Sequence, residues 1–162
     1  MLNDLIARAE ALARAGDQDG AISMATELVA MYPNELKVWL LRADLYGLNR
    51  RYADAIADLT RAIEINPMEP SLLHARGLDA LALGNYQEAL KDFARGLELC
   101  DYHGNDYYRE SFHFLRAEAF LRLGKKKEAL ADLAHVREGM KTWTYALRSK
   151  SDLLAECRTL DD

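Results

Sequence analysis

The chain is poor in the residues that break or staple a fold. Among 162 residues there are three prolines, nine glycines and two cysteines. So few breakers argue against a turn-rich all-β architecture and leave long uninterrupted segments. Cys100 and Cys157 form no spaced framework, which excludes a disulfide-stapled scaffold and points to a reducing compartment. A basic excess is missing too. The net charge is −5, most of it carried by the first half of the chain. Nucleic-acid binders concentrate lysine and arginine on one face, so no nucleic-acid partner is expected. No apolar run approaches the ~20 residues needed to cross a bilayer, and no membrane partner is expected either. Met1-Leu2-Asn3-Asp4-Leu5 carries an acid where a secretory leader would be basic. These absences predict a cytoplasmic chain.

What is present favours helix. Half the residues are hydrophobic and 29% are charged, enough for a globular core in a single domain over 1–162. Alanine, leucine, glutamate and arginine dominate, all good helix formers. One fixed interval recurs through the chain: the step from Pro33 to Pro67 is also the step from Ala21 to Ala55 and from Ala55 to Ala89. The sharpest copy of the repeat is Trp39, Ala43, Tyr46, Ala55, Leu59 and Pro67. Trp39, Ala43 and Tyr46 fall three or four positions apart and share one face of a first helix. Ala55 and Leu59 do the same on a second, and Pro67 forces the chain to turn. Such a helix pair cannot bury its apolar faces alone, so recurring pairs must stack.

Three more pairs lie on this template. Residues 2–33 hold Leu5, Ala9 and Leu12, then Gly16, an Asp17 helix cap, and Ala21, Ala25 and Leu28. Residues 70–100 hold Leu73, Gly77 and Ala80, then Ala89, Phe93 and Gly96. Between them Gly84 ends one helix, and Asn85 with Glu88 reads as a capping box for the next. Residues 109–141 hold His113, Ala117 and Phe120, then Ala129, Leu133 and Val136. This last pair is displaced by an insertion, 101–108, which reads as a polar loop carrying Tyr102, Tyr107 and Tyr108. From 142 to 160 the stripe Trp143, Ala146, Leu147, Leu154, Cys157 and Leu160 predicts a capping helix and no strand.

The Trp39–Pro67 pattern resembles the tetratricopeptide repeat, with Arg42, Ala43 and Leu59 replacing the usual leucine, glycine and phenylalanine. The resemblance covers about residues 2–141. It implies an all-α, right-handed superhelical stack of four helix pairs plus the capping helix, whose first helices line a concave groove. The implied function is a non-catalytic module that binds a partner protein or peptide in that groove. A dedicated chaperone or a toxin-neutralising immunity protein is the alternative, and a small enzyme the contrasting one. Heat-shock co-chaperones of the family grip a C-terminal carboxylate with inner lysines, asparagines and an arginine. Ile6, Glu10, Leu41 and Ala75 occupy those places here, which disfavours that role.

If the packing stripe faces inward, the opposite stripe lines the groove. It reads Ile6 and Glu10, then Lys37, Leu41 and Asp44, then His74, Ala75 and Leu78, then Phe114, Glu118 and Arg122. An apolar floor with acids predicts a partner bearing apolar anchors and basic residues. Each anchor is worth roughly 1.5–3 kcal/mol when fully buried. The tyrosines Tyr102, Tyr107 and Tyr108 either extend that surface or tack the insertion to the stack. Arg42, Arg76 and Arg116 recur beside the small packing residue and are expected to pair with acids of adjacent helices. His74, His103, His113 and His135 show no zinc-like spacing, and no nucleophile–base set or phosphate-cradling loop is recognisable. No catalytic residue, metal or cofactor is therefore expected. The chain is expected to be a monomer or a weak homodimer.

Overall fold

In a computed structural model, residues 1–104, 107–143 and 147–160 are described. Nine helices occur among them: α1 (Leu2–Arg14), α2 (Gln18–Met31), α3 (Leu36–Leu48), α4 (Tyr52–Ile65), α5 (Pro70–Leu83), α6 (Tyr86–His103), α7 (Arg109–Arg122), α8 (Lys126–Leu133) and α9 (Lys150–Thr159). One two-stranded ribbon, β1 (Lys141–Trp143) and β2 (Leu147–Ser149), precedes α9. The first eight helices form four consecutive pairs, and the chain divides into two compact units, residues 1–67 and 68–162.

In the first unit α1 packs on α2, α2 on α3 and α3 on α4, and α1 also touches α3. Small residues let the helices approach: Ala9, Ala21, Ala25, Ala43, Ala55 and Ala62 are all buried. Leu28, Val38, Leu41, Leu45 and Leu59 fill the space between. Asp17 caps α2 by accepting a hydrogen bond from Gly20 N at 2.9 Å. Trp39 donates from Nε1 to the Pro33 carbonyl at 2.8 Å, which ties the motif tryptophan to the inter-repeat turn.

The second unit follows the same order, with α5 on α6, α6 on α7, α7 on α8 and α9 against both α7 and α8. Here glycine replaces alanine, and larger rings take up the room. A Cβ at Gly77 would overlap the Phe93 ring, and one at Gly96 the Phe112 ring. Phe93, Phe112 and Phe114 are completely buried. Gly84 ends α5 in the left-handed conformation (φ 85°), where glycine carries no Cβ penalty.

The recurring arginines do form buried ion pairs. Arg42 reaches Asp58 with two donors at 2.7 and 2.8 Å, Arg76 reaches Asp92 at 2.9 and 2.7 Å, and Arg116 reaches Asp132 at 2.8 and 2.6 Å. Each partner lies 16 residues on, so every pair pins the first helix of its repeat to the second. The first repeat has no such pair, because Met24 takes the place that Asp58 holds one period later. Asp132 also accepts from His113 Nδ1 at 2.8 Å. Burial opposes its charge, but these hydrogen bonds outweigh it and hold the carboxyl below the usual range.

Three local expectations need correction. Residues 142–160 are not one helix. Residues 141–143 and 147–149 form the antiparallel ribbon, with Lys141 opposite Ser149, Thr142 opposite Arg148 and Trp143 opposite Leu147. The helix begins only at Lys150, where Ser149 and Asp152 form a reciprocal capping box. Ala146 lies outside the described residues. Asn85 sits at the α6 N-cap but makes no side-chain cap bond, so the capping box expected there is absent. The surplus residues 101–103 extend α6 by a turn, until left-handed Gly104 stops it. Asn105 and Asp106, also assigned to the insertion, lie outside the described residues.

Candidate functional site

In the first unit the packing of α1 against α3 brings five of the sequence-chosen residues into one hollow. Ile6 and Glu10 come from α1, and Lys37, Leu41 and Asp44 from α3; Asn3, Ala7 and Leu40 complete the lining. The hollow is about 410 Å³ and opens to solvent. Its arrangement follows from helix geometry. Leu5, Ala9 and Leu12 of α1 turn towards the core, so residues 3, 7 and 10 fall on the other side of the helix, while half-buried Ile6 packs on the core and also lines the hollow. Lys37 and Asp44 are two turns apart on α3, roughly 10 Å along its axis. The hollow is thus basic at one end, acidic at the other, and apolar between.

At the acidic end, among the described residues, Glu10 forms only an exposed 3.5 Å pair with Arg14, one turn along α1. The Asp44 carboxylate has no hydrogen bond or ion pair among the described residues. Partial burial, and then the neighbouring Glu10 charge, push its pKa above the ordinary carboxylate value. A cation placed between the two acids would relieve both penalties. Sequence reasoning selects Ile6, Glu10, Lys37, Leu41 and Asp44 but misses Asn3, Ala7 and Leu40. Those three follow from the same helical faces, shifted by one turn or one position.

The second unit treats its candidates differently. His74 is largely buried, in edge-on and tilted contact with Phe112 and Tyr108 at 5.6 and 5.2 Å. Its Nε2 shares a 2.7 Å hydrogen bond with Ser111 Oγ. Burial lowers its pKa to about 4, which keeps the ring neutral at pH 7. Leu78 and Ala75 are half-buried. Phe114 and Glu118, expected to line a groove, have no exposed surface at all. Arg148 of β2 and the packing of α9 on α7 account for the acid's burial. Arg148 reaches Glu118 at 3.2 Å and also bonds Glu156, while half-buried Arg122 reaches Glu118 at 3.3 Å and Glu156 at 3.2 Å. Arg148 and Glu156 escape the sequence reading because nothing in periodicity says where a terminal segment returns.

Tyr102 and Tyr107 are well exposed, at 75% and 80%. Tyr102 stands on the last turn of α6, its ring 5.1 Å from that of His103. Tyr107 packs edge-on against Tyr108 at 4.8 Å. Tyr108 is half-buried, and burial followed by Tyr107 raises its pKa. Of the other histidines, His103 bonds the Met68 carbonyl at 3.0 Å and His113 stacks on His135 at 4.5 Å. Among the described residues no cluster of three or more His, Cys, Asp or Glu side chains is placed to hold a metal ion. No helix there is long and apolar enough to cross a membrane.

Known proteins agree with this architecture. A tetratricopeptide repeat model matches residues 6–70, and a second such model matches 70–103. A serine/threonine-protein phosphatase T of Aspergillus oryzae is 34% identical over 73 residues, which are 45% of this chain and 15% of that protein. The SGT1 homolog of Bos taurus is 29% identical over 83 residues, 51% of this chain and 25% of that protein. The chain thus spans a quarter or less of these curated relatives. Among solved structures, MamA superposes with a TM-score of 0.73 at 15% identity, covering 83% of this chain and 70% of that one. The TPR2B-domain:pHsp70 complex of yeast Sti1 superposes with 0.65 at 19% identity, covering 73% and 94%. Repeat models over residues 6–103 and two shared folds leave one assignment: the chain belongs to the tetratricopeptide repeat family and is a protein-interaction module.

Proposed function

We propose that this module takes its partner in the α1/α3 hollow, and that the partner presents apolar anchors beside basic residues. One observation carries the reading: Ile6, Glu10, Lys37, Leu41 and Asp44, chosen from repeat spacing alone, line a single open hollow. Its apolar middle offers burial, and its acidic end offers charge that no side chain described in the unit neutralises well. The solved Sti1 domain, a fold relative, is in complex with pHsp70, which is consistent with a peptide-sized ligand for this architecture. The role is binding without turnover, in the cytoplasm. A segment with two or three anchors would bind around the micromolar level after association costs.

The test is to plug the hollow. Ala7 is exposed on its wall, so Ala7→Trp fills the space without disturbing the core. Partner capture should fall by at least tenfold while thermal unfolding stays within a few degrees of the parent. Leu41→Asp is a poorer probe, because Leu41 is only 7% exposed and its replacement would unfold the unit. Undiminished capture by the Ala7→Trp protein would move the partner to another face.

A further inference from the structure

Three of the four first helices, α1, α3 and α7, carry acids at matching places, and α5 has Leu78 there. Glu10 and Asp44 are one repeat period apart, and Glu118 occupies the same position in the last repeat. Glu118 of α7 faces a second carboxylate, Glu156 of α9, just as Asp44 of α3 faces Glu10 of α1. In the second unit the pair is bridged by Arg148, largely buried, which bonds both acids from the strand before α9. In the first unit no described side chain bridges it.

We infer that the α1/α3 hollow is an arginine socket: a partner segment inserts an arginine whose guanidinium bridges Glu10 and Asp44 as Arg148 bridges Glu118 and Glu156. This deepens the hollow-binding reading and rests on it. A planar guanidinium donates along two edges and so serves two carboxylates on separate helices, whereas a lysine ammonium is a compact point charge. The arginine stem would lie on Ile6, Leu40 and Leu41, the apolar wall beside the acids. The charged groups around the socket are Glu10 with its exposed neighbour Arg14 on α1, and Lys37 and Asp44 on α3. Lys37 stands two turns from Asp44, so it excludes a second cation from the far end while leaving the socket acidic.

The test uses a displayed library of random dodecapeptides, selected on the full chain. Arginine should be at least fivefold commoner than lysine among the binders. A selected peptide should lose about tenfold in affinity against Asp44→Asn, a similar factor against Glu10→Gln, and about fivefold when its own arginine becomes lysine. Asp44 and Glu10 are exposed, so both variants should fold, which circular dichroism checks. Binders lost on Ala7→Trp but showing no arginine preference, or indifferent to both acid variants, overturn the socket and leave the hollow reading standing. Binders indifferent to Ala7→Trp, or a library that yields none, overturn both.

Discussion

In residues 1–67 the acids of the first helices, Glu10 and Asp44, border an open hollow. In residues 68–162 the acid at the same repeat position, Glu118, is fully buried among Arg122, Arg148 and Glu156. The helix pairs are built alike, and the Arg–Asp links of α3–α4, α5–α6 and α7–α8 share one sequence spacing. What differs is whether the chain itself supplies a cation. A repeat scaffold offers the same inner position several times, and this chain closes one copy while leaving another accessible.

The largest way to break this comparison is Arg148→Ala. It removes a guanidinium held by two acids, one of them with no exposed surface. Breaking a buried pair while leaving its partner typically costs about 3–5 kcal/mol, and Arg122 will soften that towards the lower figure. Chemical denaturation should show the loss, and hydrogen exchange should place it in α7 and α9 rather than in α1–α4. A loss under about 1 kcal/mol, the level of an ordinary surface pair, would mean that the second unit does not depend on its internal cation.

A change of pH separates the units more gently, because His74 and Asp132 of the second unit shift down while Asp44 of the first shifts up. His74 has a folded pKa of about 4 against an ordinary 6.5, so the unfolded chain takes up a proton first. Stability of the second unit should therefore fall as pH drops from about 6.5 to about 4, by an amount on the order of 1–3 kcal/mol. Asp132 is held below its ordinary value, so its contribution disappears at still lower pH. Asp44 works the other way: its raised folded pKa makes the first unit gain stability as pH falls through that value towards 3.8. Segment-resolved hydrogen exchange at pH 7 and pH 5 would see the second unit loosen first. His74→Asn should flatten the slope there and leave α1–α4 unchanged; an unaltered slope would remove His74 as its source.

Much of the fold is legible in the sequence, for a specific reason. Trp39, Ala43, Tyr46, Ala55, Leu59 and Pro67 carry spacing, and spacing is what helix packing obeys. The same logic finds the hollow, since faces opposite a core stripe must point elsewhere. It fails where the chain leaves the repeat. Trp143, Ala146 and Leu147 imitate the spacing of a helix face, yet 141–143 and 147–149 pair as a ribbon. The signal that marks the true boundary is Ser149 with Asp152, an N-cap pattern that starts α9 at Lys150. Phe114 reads as groove-lining for a related reason. Its counterpart in the α3 repeat, Leu40, does line the hollow, but nothing local to Phe114 reveals that it is completely buried. Long-range return of a terminal segment leaves no mark on periodicity.

The smallest effect is also the sharpest, because its sign is opposite to the usual outcome of mutation. Most substitutions destabilise, yet Asp44→Asn should stabilise the first unit at pH 7. It removes a charge that burial and Glu10 both disfavour, and keeps the side chain's size. Water still reaches the exposed carboxylate and screens the repulsion, so the gain should be about 0.5 kcal/mol or less. Raising the salt concentration should shrink it further, as screening does part of the substitution's work. The gain should vanish below the ordinary carboxylate pKa, where both proteins carry a neutral group. A change of about 0.5 kcal/mol in the destabilising direction would show that Asp44 already serves a structural partner, and that the first unit is no more open than the second. A small gain in stability joined to weaker binding of arginine peptides is the pattern expected of a residue kept for an absent cation rather than for the fold.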